Sequence, residues 1–555
     1  MAAENFQKLF RVGPYRFRYL LYVVVAVGLT WPLGAQMGDR LPLGTEGSAT
    51  VPLFNLWTLM WNADRLQHGY AGYWDAPAFY PERGTFALSE PQPLTGVIFS
   101  AADLGGNPVA AYDLVLLLFL ALNGISADWL LRKLGVETIP ALLGGLLAMA
   151  LPFVSNEWGV LQLTAVFPLF FALGSLWSFV QRPGWLAALG IGGWSGAAFL
   201  FSNYYGLFLT VFLLLGGLCL LHRALLRRKV VVQVLGAAVL AGAILLPVLP
   251  EQVRLTAEYG RSDYTIQSNS ADIGEYLHLY RRTLGEHWLP WIAEDDGSQR
   301  LYPGTMLLML GILGMIVGWR DRPKRRWVFF AAFGAVLAFM LSLGLNLSAG
   351  GWQPYRLLKD YYPGFAQLRS PFRLAVLVQI FLVSLAGIGL NVVWRRGRGG
   401  RLLAVGLVTL GLVEVVAHPV RLYAVPETVF EADWITWLKD QPEDGAVLMI
   451  PMSQGSSTRD FQPTVIGMLQ GLQHGRPVGN GYSGFFPRSY TSLNGRMFNF
   501  PDDETIQYLQ ETGFTYLVID RDWWDEDKTQ ALSAWGGEVD RVYADREKVI
   551  YRVAR

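Results

Sequence analysis

Two arginines, Arg369 and Arg373, flank the Ser370–Pro371 dipeptide at the start of a long apolar run. Residues four apart share one face of a helix, so their guanidinium groups can point in the same direction. Forked guanidinium donors bind phosphate oxygens well, and the phosphates found at membrane headgroup level belong to lipids. The alternative is that both arginines only extend their charge from an apolar surface into water. The pair predicts a lipid-phosphate site or simple interfacial arginines.

Carboxylates occur in a long segment, about residues 35–109, between the first two apolar runs. Asp39 and Glu46 follow the first run at once, and Glu90 comes later among aromatic residues and prolines. Each acid taken singly is ordinary solvated loop charge. A loop of this length that carries acids, aromatic residues and its own helix is more often functional. We therefore look for chemistry in this loop.

The same loop contains the stretch LFNLWTLMWNADRL at residues 53–66. Its apolar residues recur at helical spacing, and Asn62, Asp64 and Arg65 fall on other faces. This pattern predicts an amphipathic helix that lies at the membrane interface.

Two further polar positions stand at the ends of apolar runs. Asn203, Tyr204 and Tyr205, in FSNYYGLF, either line a polar cavity or belong to an aromatic belt. Glu157, in the short turn SNEWG, is equally ambiguous. We keep all four as candidate substrate-cavity residues, together with Glu90.

The elements that must position these residues are membrane spans. Apolar residues make up 52% of the chain and charged residues 16%, and the mean hydropathy is +0.30. This exceeds what a soluble core can bury and favours an α-helical polytopic membrane protein. Runs long enough to cross the hydrocarbon predict about eleven transmembrane helices. These lie near residues 18–34, 110–131, 138–152, 160–180, 185–201, 204–222, 230–249, 303–319, 327–346, 372–393 and 401–418.

Lys and Arg collect in every second loop, which supports this series of spans. They include Arg11, Arg16, Arg18, Arg132, Lys133, Arg182, Arg223, Arg227, Arg228, Lys229, Arg320, Arg322, Lys324, Arg325, Arg326, Arg395, Arg396, Arg398 and Arg401. The pattern predicts a cytoplasmic N-terminus and external loops at 35–109, 250–302 and 347–371. The arginines before the first apolar run and the small residues Gly34 and Ala35 after it resemble a cleavable signal peptide, but we interpret this run as an uncleaved first span.

Composition also excludes some classes of function. The net charge is +1, from 45 basic and 44 acidic residues, so no overall field favours nucleic acid as a partner. The single cysteine, Cys219, rules out an intramolecular disulfide and CxxC-type sites. No His/Asp cluster requires a metal, so we expect no metal ligands.

The composition changes near residue 421, and the remaining 421–555 segment predicts a small extracytoplasmic α/β domain. Helices are expected in ADWITWLKD, DETIQYLQETG and DKTQALSAWG, strands in AVLMIPM and FTYLVIDRD, and a hairpin in VDRVYADREKVIYRV. The segment lacks GxGxxG, Walker and nucleophile-elbow motifs, so it is expected to cover or recognise a substrate.

Several stretches together resemble bacterial polytopic proteins of the GT-C glycosyltransferase superfamily. They are FNLWTLMW in the acid-bearing first loop, YPERGTF…PLTGVIF…NPVAAYDLVLLL, NYYGLF, LSLG…PYRLL…PGFAQLRSPFRL, and VLMIPM with RPVGNGYSGFFP. The resemblance implies a GT-C-like transmembrane domain over residues 1–420. None of these stretches is a catalytic signature. The resemblance depends on their arrangement along the chain.

Members of that superfamily are similar in using a lipid-phosphate sugar donor at the outer face and a first-loop carboxylate as base. The resemblance thus implies that Glu46 or Asp39 is the base and that Arg369 and Arg373 bind the donor phosphate. The family more often has Asp at the first-loop position, so both acids remain candidates, as does a loss of catalysis. Some members use a divalent metal, which leaves the cofactor unknown.

The resulting hypothesis is an inverting glycosyltransferase in the bacterial plasma membrane. It would move a sugar from a polyprenyl-phosphate donor to an envelope glycan, glycolipid or protein, with membrane lipids as further partners. The alternative is a non-catalytic transporter, flippase or accessory protein for lipid-linked sugars. Transporters tend to carry ionisable residues at mid-bilayer, and the predicted spans contain few, Asp128 and Glu414 being exceptions near helix ends.

Overall fold

The computed structural model describes residues 17–221, 227–294, 299–348, 350–442 and 445–554. The predicted cytoplasmic residues Arg11, Arg16 and Arg223 lie outside this part of the chain. The described α-helices are Phe17–Leu29, Thr50–Gln67, Pro93–Ala102, Pro108–Lys133, Thr138–Met149, Pro152–Asn156, Phe167–Gln181, Trp185–Phe201, Asn203–Gly216, Arg228–Leu245, Leu249–Thr256, Asp263–Ser268, Thr305–Arg320, Arg322–Ser342, Pro354–Tyr361, Ala375–Trp394, Gly397–Val415, Asp433–Lys439, Gln462–His474, Arg488–Arg496, Asp503–Thr512 and Glu526–Ser533.

Eight short strands accompany these helices. They are β1 (Arg40–Pro42), β2 (Leu279–Tyr280), β3 (Ala293–Glu294), β4 (Leu422–Ala424), β5 (Ala446–Ile450), β6 (Phe514–Asp520), β7 (Val539–Ala544) and β8 (Lys548–Val553). β1 pairs antiparallel with β4, β2 pairs parallel with β3, and the other four form one sheet in the order β5-β6-β8-β7.

The chain divides into two compact units, each made of several segments. Unit 1 comprises Met1–Gln36, Asp113–Pro247 and Gly260–Arg421. Unit 2 comprises Met37–Tyr112, Val248–Tyr259 and Leu422–Arg555. The predicted division into a 1–420 domain and a 421–555 domain stays a prediction.

Seven helical stretches in the described residues are long and apolar enough to cross a membrane, and the protein is a membrane protein. They are Pro108–Lys133, Thr138–Asn156, Leu161–Gln181, Asn203–Leu220, Arg228–Leu245, Arg322–Ser342 and Pro371–Trp394. Three other predicted spans coincide with shorter apolar helices, Tyr19–Leu29, Trp185–Phe201 and Thr305–Arg320. The last predicted span falls on Gly397–Val415. The total of about eleven spans stays a prediction.

The helix Ala375–Trp394 is buried along nearly its whole length in unit 1. Glycines allow Thr305–Arg320 to pack closely against it. A Cβ atom at Gly314 would lie 1.8 Å from the Leu385 carbonyl oxygen, and one at Gly389 would lie 2.3 Å from that of Leu310. Small residues at such contacts bring helix backbones together, which is how apolar helices associate when burial from water gives no driving force.

The buried carboxylate of Glu414 caps the start of the helix Thr305–Arg320. Its oxygens accept hydrogen bonds from the Thr305 amide at 2.8 Å and the Met306 amide at 3.3 Å. The hydroxyls of Thr305 and Tyr302 donate to the same carboxylate. A negative charge at a helix N-terminus is stabilised by the unpaired amides and the helix dipole. Glu414 therefore has a structural role in unit 1.

The helix Thr50–Gln67 is present as predicted, but unit 2 buries more than one of its faces. Asn62, expected on a polar face, is only 1% exposed. Its side-chain amide donates to the carbonyl oxygens of Thr58 at 2.8 Å and Pro91 at 2.7 Å, and its Oδ1 accepts from the Tyr73 hydroxyl at 2.8 Å. Because these bonds satisfy the amide group, it can be buried without cost from lost hydration.

The C-terminal segment contains the predicted elements in the predicted order. β5 and β6 are parallel, and β6, β8 and β7 are antiparallel neighbours. The helix Asp503–Thr512 ends at Gly513, whose φ of 88° suits the left-handed cap that glycine tolerates. Trp434, Val447, Val518 and Ile550 form the apolar core beneath the sheet. The helix Gln462–His474 was not predicted.

Candidate functional site

Tyr204 organises the two predicted phosphate-binding arginines in unit 1. The Arg369 backbone amide donates to the Tyr204 hydroxyl at 3.2 Å, and the Arg373 guanidinium carbon lies 4.4 Å from the centre of the Tyr204 ring. Tyr204 is 8% exposed, so its position in the first turn of Asn203–Gly216 is well defined. Both arginines are thus tied to one aromatic side chain.

The two arginines do not share a helical face, contrary to the sequence-based argument. Arg369 lies before the helix, and Ser370 has extended φ and ψ values of −124° and 77°. Arg373 lies in a 3₁₀ turn at Pro371–Leu374 that leads into Ala375–Trp394. Their spacing of four is therefore not what brings them together; Tyr204 links them.

A third arginine, Arg261, belongs to the same region of unit 1. Its backbone amide donates to the Ala366 carbonyl oxygen at 3.3 Å, and its Nε donates to that of Gln367 at 3.4 Å. Burial, and then the positive charge of Arg369, lower the pKa of Arg261 to about 10. We call Arg261, Arg369 and Arg373 the arginine cluster.

Aromatic contacts hold the segment that precedes Arg369. Phe365 is buried against Phe208 and Tyr355, with ring centres 6.1 Å and 6.2 Å apart. The Tyr362 hydroxyl donates to Thr210 Oγ1 at 2.7 Å. This packing fixes the backbone carbonyls that Arg261 contacts.

An acidic side chain ties two segments of unit 1 together near Arg261. Asp263 forms ion pairs with Arg356 and Lys359 on the helix Pro354–Tyr361. Hydrogen bonds from these two cations, that from Lys359 first, hold the pKa of Asp263 below its ordinary value. Asp263 and Arg261 were not singled out from the sequence. Their shared segment RSD inside the predicted external loop 250–302 was the available signal.

Glu46 lies in a short turn in unit 2, residues 43–49, which we call the acidic turn. The Glu46 amide donates to the Leu43 carbonyl oxygen at 3.0 Å. The Ala49 amide donates to Gln462 Oε1 at 2.9 Å, and the Gln462 amide group donates to the Tyr423 hydroxyl at 3.2 Å. The turn is therefore held by side chains from distant parts of unit 2.

Two more contacts hold the acidic turn at the start of the helix Thr50–Gln67. The Thr50 hydroxyl donates to the Thr458 carbonyl oxygen at 2.7 Å, and Arg459 reaches the Gly47 carbonyl oxygen at 3.5 Å. Glu46 itself is half-buried. A partly desolvated carboxylate in a fixed turn is a suitable acceptor for a proton.

Asp39, the competing acid, has a different setting in unit 2. It is exposed and directly precedes β1, and its backbone carbonyl accepts from the Val425 amide at 3.0 Å. Glu90 also belongs to unit 2, where it lines an aromatic pocket with Phe54, Trp57 and Tyr482. Whether either residue takes part in chemistry stays a prediction.

The remaining cavity candidates belong to unit 1. Tyr205 is 1% exposed and its hydroxyl donates to the Leu163 carbonyl oxygen. The burial of Tyr204 and Tyr205 excludes the aromatic-belt interpretation, in which both would face lipid. Asn203 is half-buried at the first position of its helix, and half-buried Glu157 ends the short helix Pro152–Asn156. Their role in a substrate cavity stays a prediction.

Within the described residues, no group of three or more His, Cys, Asp or Glu side chains is placed to hold a metal ion. The candidate residues are carboxylates in unit 2 and arginines and tyrosines in unit 1, and each set is described within its own unit.

Solved structures of membrane glycosyltransferases share the fold of this chain. The arabinofuranosyltransferase AftD from Mycobacteria is similar with a TM-score of 0.55 and 14% identity. That match covers 98% of this chain but only 42% of AftD. The apo oligosaccharyltransferase from Archaeoglobus fulgidus is similar with a TM-score of 0.50 and 12% identity, covering 95% of this chain and 72% of the other. At these identities the likeness shows a GT-C-like fold and nothing finer.

No curated protein matches the sequence. One family model does match, over residues 73–415, which is more than half of the chain. Its matched region includes the arginine cluster and the helices that position it. The chain belongs to the family described as "Domain of unknown function (DUF6311)".

Proposed function

We propose that the protein is an inverting membrane glycosyltransferase that moves a sugar from a polyprenyl-phosphate donor to an acceptor. The observation that carries this proposal is the arrangement of Arg369 and Arg373 around Tyr204, in a chain with a GT-C-like fold. Tyr204 holds the guanidinium group of Arg373 and the backbone of Arg369. Guanidinium groups can bind phosphate oxygens through paired, charge-assisted hydrogen bonds.

The reaction requires a base for the acceptor and a cation for the leaving group. The base takes the proton of the acceptor hydroxyl as its oxygen attacks the anomeric carbon. The bond between that carbon and the phosphate oxygen breaks, and its electron pair stays on the lipid phosphate. Arg369 and Arg373 stabilise the negative charge that develops there. Attack from the opposite face inverts the anomeric configuration.

Glu46 is the base in this proposal, and Asp39 is the competing candidate. Glu46 is half-buried in the hydrogen-bonded acidic turn, whereas Asp39 is exposed. A carboxylate with a fixed position loses less freedom on reaching the transition state, so the setting of Glu46 supports its assignment.

The proposed site of action is the outer face of a bacterial plasma membrane, with the N-terminus cytoplasmic. The alternation of Lys and Arg between loops supports this orientation. The acceptor is an envelope glycan, glycolipid or protein. A polyprenyl-linked donor suits a site whose cations stand at the start of a membrane helix.

Transfer of labelled sugar from synthetic polyprenyl-phosphate donors to envelope acceptors tests the proposal. We expect Glu46→Gln to lower the rate by about 10²- to 10⁴-fold, the range typical of a general base. Arg369→Ala should lower it by about 10- to 100-fold, because a hydrogen bond to a charged group is lost. Asp39→Asn and the exposed Arg282→Ala are the matched controls and should retain activity.

Three results would contradict parts of this assignment. A large loss in Asp39→Asn with none in Glu46→Gln would move the base to Asp39. Sensitivity of the wild type to EDTA would add a divalent metal. If no donor supports transfer, and the variants bind lipid-linked sugar as the wild type does, the protein is a transporter, flippase or accessory factor instead.

A further inference from the structure

The short helix Pro354–Tyr361 of unit 1 lies between two helical stretches that are long and apolar enough to cross a membrane. These are Arg322–Ser342 and Pro371–Trp394, and residues 343–370 connect them. A connection between two consecutive spans stays at one surface of the membrane. With eight residues, the short helix cannot cross the hydrocarbon itself.

Contacts within unit 1 hold this helix close to the ends of the membrane helices. Before it, the Gln353 side chain donates to the Leu345 carbonyl oxygen at 2.7 Å, three residues after the helix Arg322–Ser342. After it, the Tyr362 hydroxyl donates to Thr210 Oγ1 at 2.7 Å. Thr210 lies inside the apolar stretch Asn203–Leu220. The helix is therefore tied to membrane helices at both of its ends.

Three kinds of side chain divide the circumference of the helix. Tyr355 faces the protein and is fully buried. Leu357 and Tyr361, four residues apart, share another side, and they are 52% and 81% exposed. Arg356 and Asp360, also four apart, share a third side, which reaches water. We call Leu357 and Tyr361 the apolar flank, and Arg356 and Asp360 the polar flank.

The two flanks require different surroundings. Leucine and tyrosine side chains are stabilised when their apolar surface leaves water, whereas exposed charged groups keep their hydration. A helix that lies in the plane of a membrane interface meets both requirements, because one flank enters the boundary between headgroups and acyl chains while the other stays in water. The tyrosine hydroxyl suits this depth, where tyrosine and tryptophan are enriched. Trp352, two residues before the helix, is also exposed.

We infer that the apolar flank is a membrane-contact surface, so that Pro354–Tyr361 lies parallel to the membrane at the boundary between headgroups and acyl chains. The partner is the lipid surface itself. Arg356 and Lys359 are balanced by Asp263, which pairs with both, and by Asp360. Apolar contact therefore drives the insertion, and it does not require anionic lipid. The inference holds whether or not the protein transfers sugar.

Spin labels on single cysteines test this position. Cys219 is the only cysteine of the chain, so a Cys219→Ala protein can receive Leu357→Cys, Tyr361→Cys or Asp360→Cys one at a time. The full-length labelled protein is reconstituted in phosphatidylcholine vesicles. Electron paramagnetic resonance then measures collisions with oxygen, which dissolves in lipid, and with a nickel chelate, which stays in water on both sides. The oxygen-to-nickel ratio on the apolar flank should be at least about threefold that at the Asp360 position.

Two controls make the result specific. Leu235→Cys places a label on an exposed position of the membrane helix Arg228–Leu245, and it should give the highest ratio. Addition of phosphatidylglycerol to the vesicles should leave every ratio unchanged. Melting of each labelled protein, compared with Cys219→Ala, shows whether it is folded. Each position of the apolar flank tests the inference if the other variant does not fold.

Three outcomes would overturn the inference. Ratios on the apolar flank as low as that at the Asp360 position would show that the flank faces water, and the surface would then be open to a protein partner. A ratio at the Asp360 position as high as that at Leu235 would place the whole helix in hydrocarbon. Insertion only in the presence of phosphatidylglycerol would make charge the driving force. The proposed function would remain in each case, because it depends on Glu46, Arg369 and Arg373.

Discussion

The arginine cluster in unit 1 and the acidic turn in unit 2 are held in opposite ways. The cluster gathers three arginines around one tyrosine and backbone carbonyls, and the charge of Arg369 adds to burial in lowering the pKa of Arg261. The acidic turn carries one carboxylate, and its backbone is held by the Ala49 amide, which donates to Gln462, and by the Thr50 hydroxyl, which donates to the Thr458 carbonyl oxygen. A region that gathers positive charge is stabilised by an anion that binds there, whereas a hydrogen-bonded turn mainly orients its side chain. We therefore expect substitutions in the first to change donor affinity as well as rate, and substitutions in the second to change rate alone.

The largest effect on donor affinity is expected from Tyr204→Leu, which removes the contacts of Tyr204 with Arg369 and Arg373. Donor affinity should fall about 10- to 100-fold, because the cation–π contact with Arg373 and the acceptor for the Arg369 amide are lost together. Tyr204→Phe keeps the ring and should lose less than about tenfold. Fluorescence titration with a prenyl phosphate measures both. Wild-type affinity in Tyr204→Leu would show that Tyr204 does not organise the cluster.

A smaller effect, on the turnover rate and not on donor affinity, is expected from Gln462→Leu. This change removes the acceptor for the Ala49 amide and loosens the acidic turn. The turnover rate should fall about three- to tenfold at unchanged donor affinity, since Glu46 is less well oriented. Gln470→Leu is the matched control on the same helix, because Gln470 contacts Thr428 instead. A change in donor affinity without a change in turnover would reverse the contrast between the two regions.

The smallest effect is expected from Asp263→Asn. Its carboxylate is 46% exposed where it pairs with Arg356 and Lys359, so the loss should be about 0.2–1 kcal/mol in the free energy of unfolding, less at high salt. The pKa of Asp263 is lower in the folded protein than its ordinary value. Its contribution is therefore present above about pH 4 and is lost as the pH falls through the folded pKa.

Melting temperatures of the wild type and Asp263→Asn from pH 7 down to pH 3 measure this difference. The two curves should run parallel near neutral pH and converge in acid. A gap that widens as the pH falls would contradict the sign of the linkage.

Local patterns predicted much of the fold because they depend on neighbouring residues. Long apolar runs gave the helices of unit 1, and the buried strands β5 and β6 were expected from AVLMI and FTYLVID. The burial of Asn62 was missed because its partners, Tyr73 and Pro91, lie far along the chain. A buried polar side chain that makes all its hydrogen bonds within the protein cannot be told from a surface residue by periodicity.

The candidate site was predictable in its residue types but not in its assembly. Arg369 and Arg373 were found from their position before an apolar run, although the assumed helical face was wrong. Arg261 was missed because its relation to Arg369 depends on the packing of Phe365 against Phe208 and Tyr355. The spacing of residues within one segment cannot predict a contact between segments that are far apart in the sequence.

The cap that Glu414 places on the helix Thr305–Arg320 has a consequence for how sequences in this family should vary. The carboxylate caps the helix only while two hydroxyls and two amides donate to it at the start of that helix. Across an alignment of family members, loss of the acid at the position of Glu414 should therefore accompany loss of the hydroxyl at the position of Thr305. This correlation is expected whether or not a family member retains activity. A conserved acid at this position therefore indicates a structural role in capping the helix and not a catalytic role.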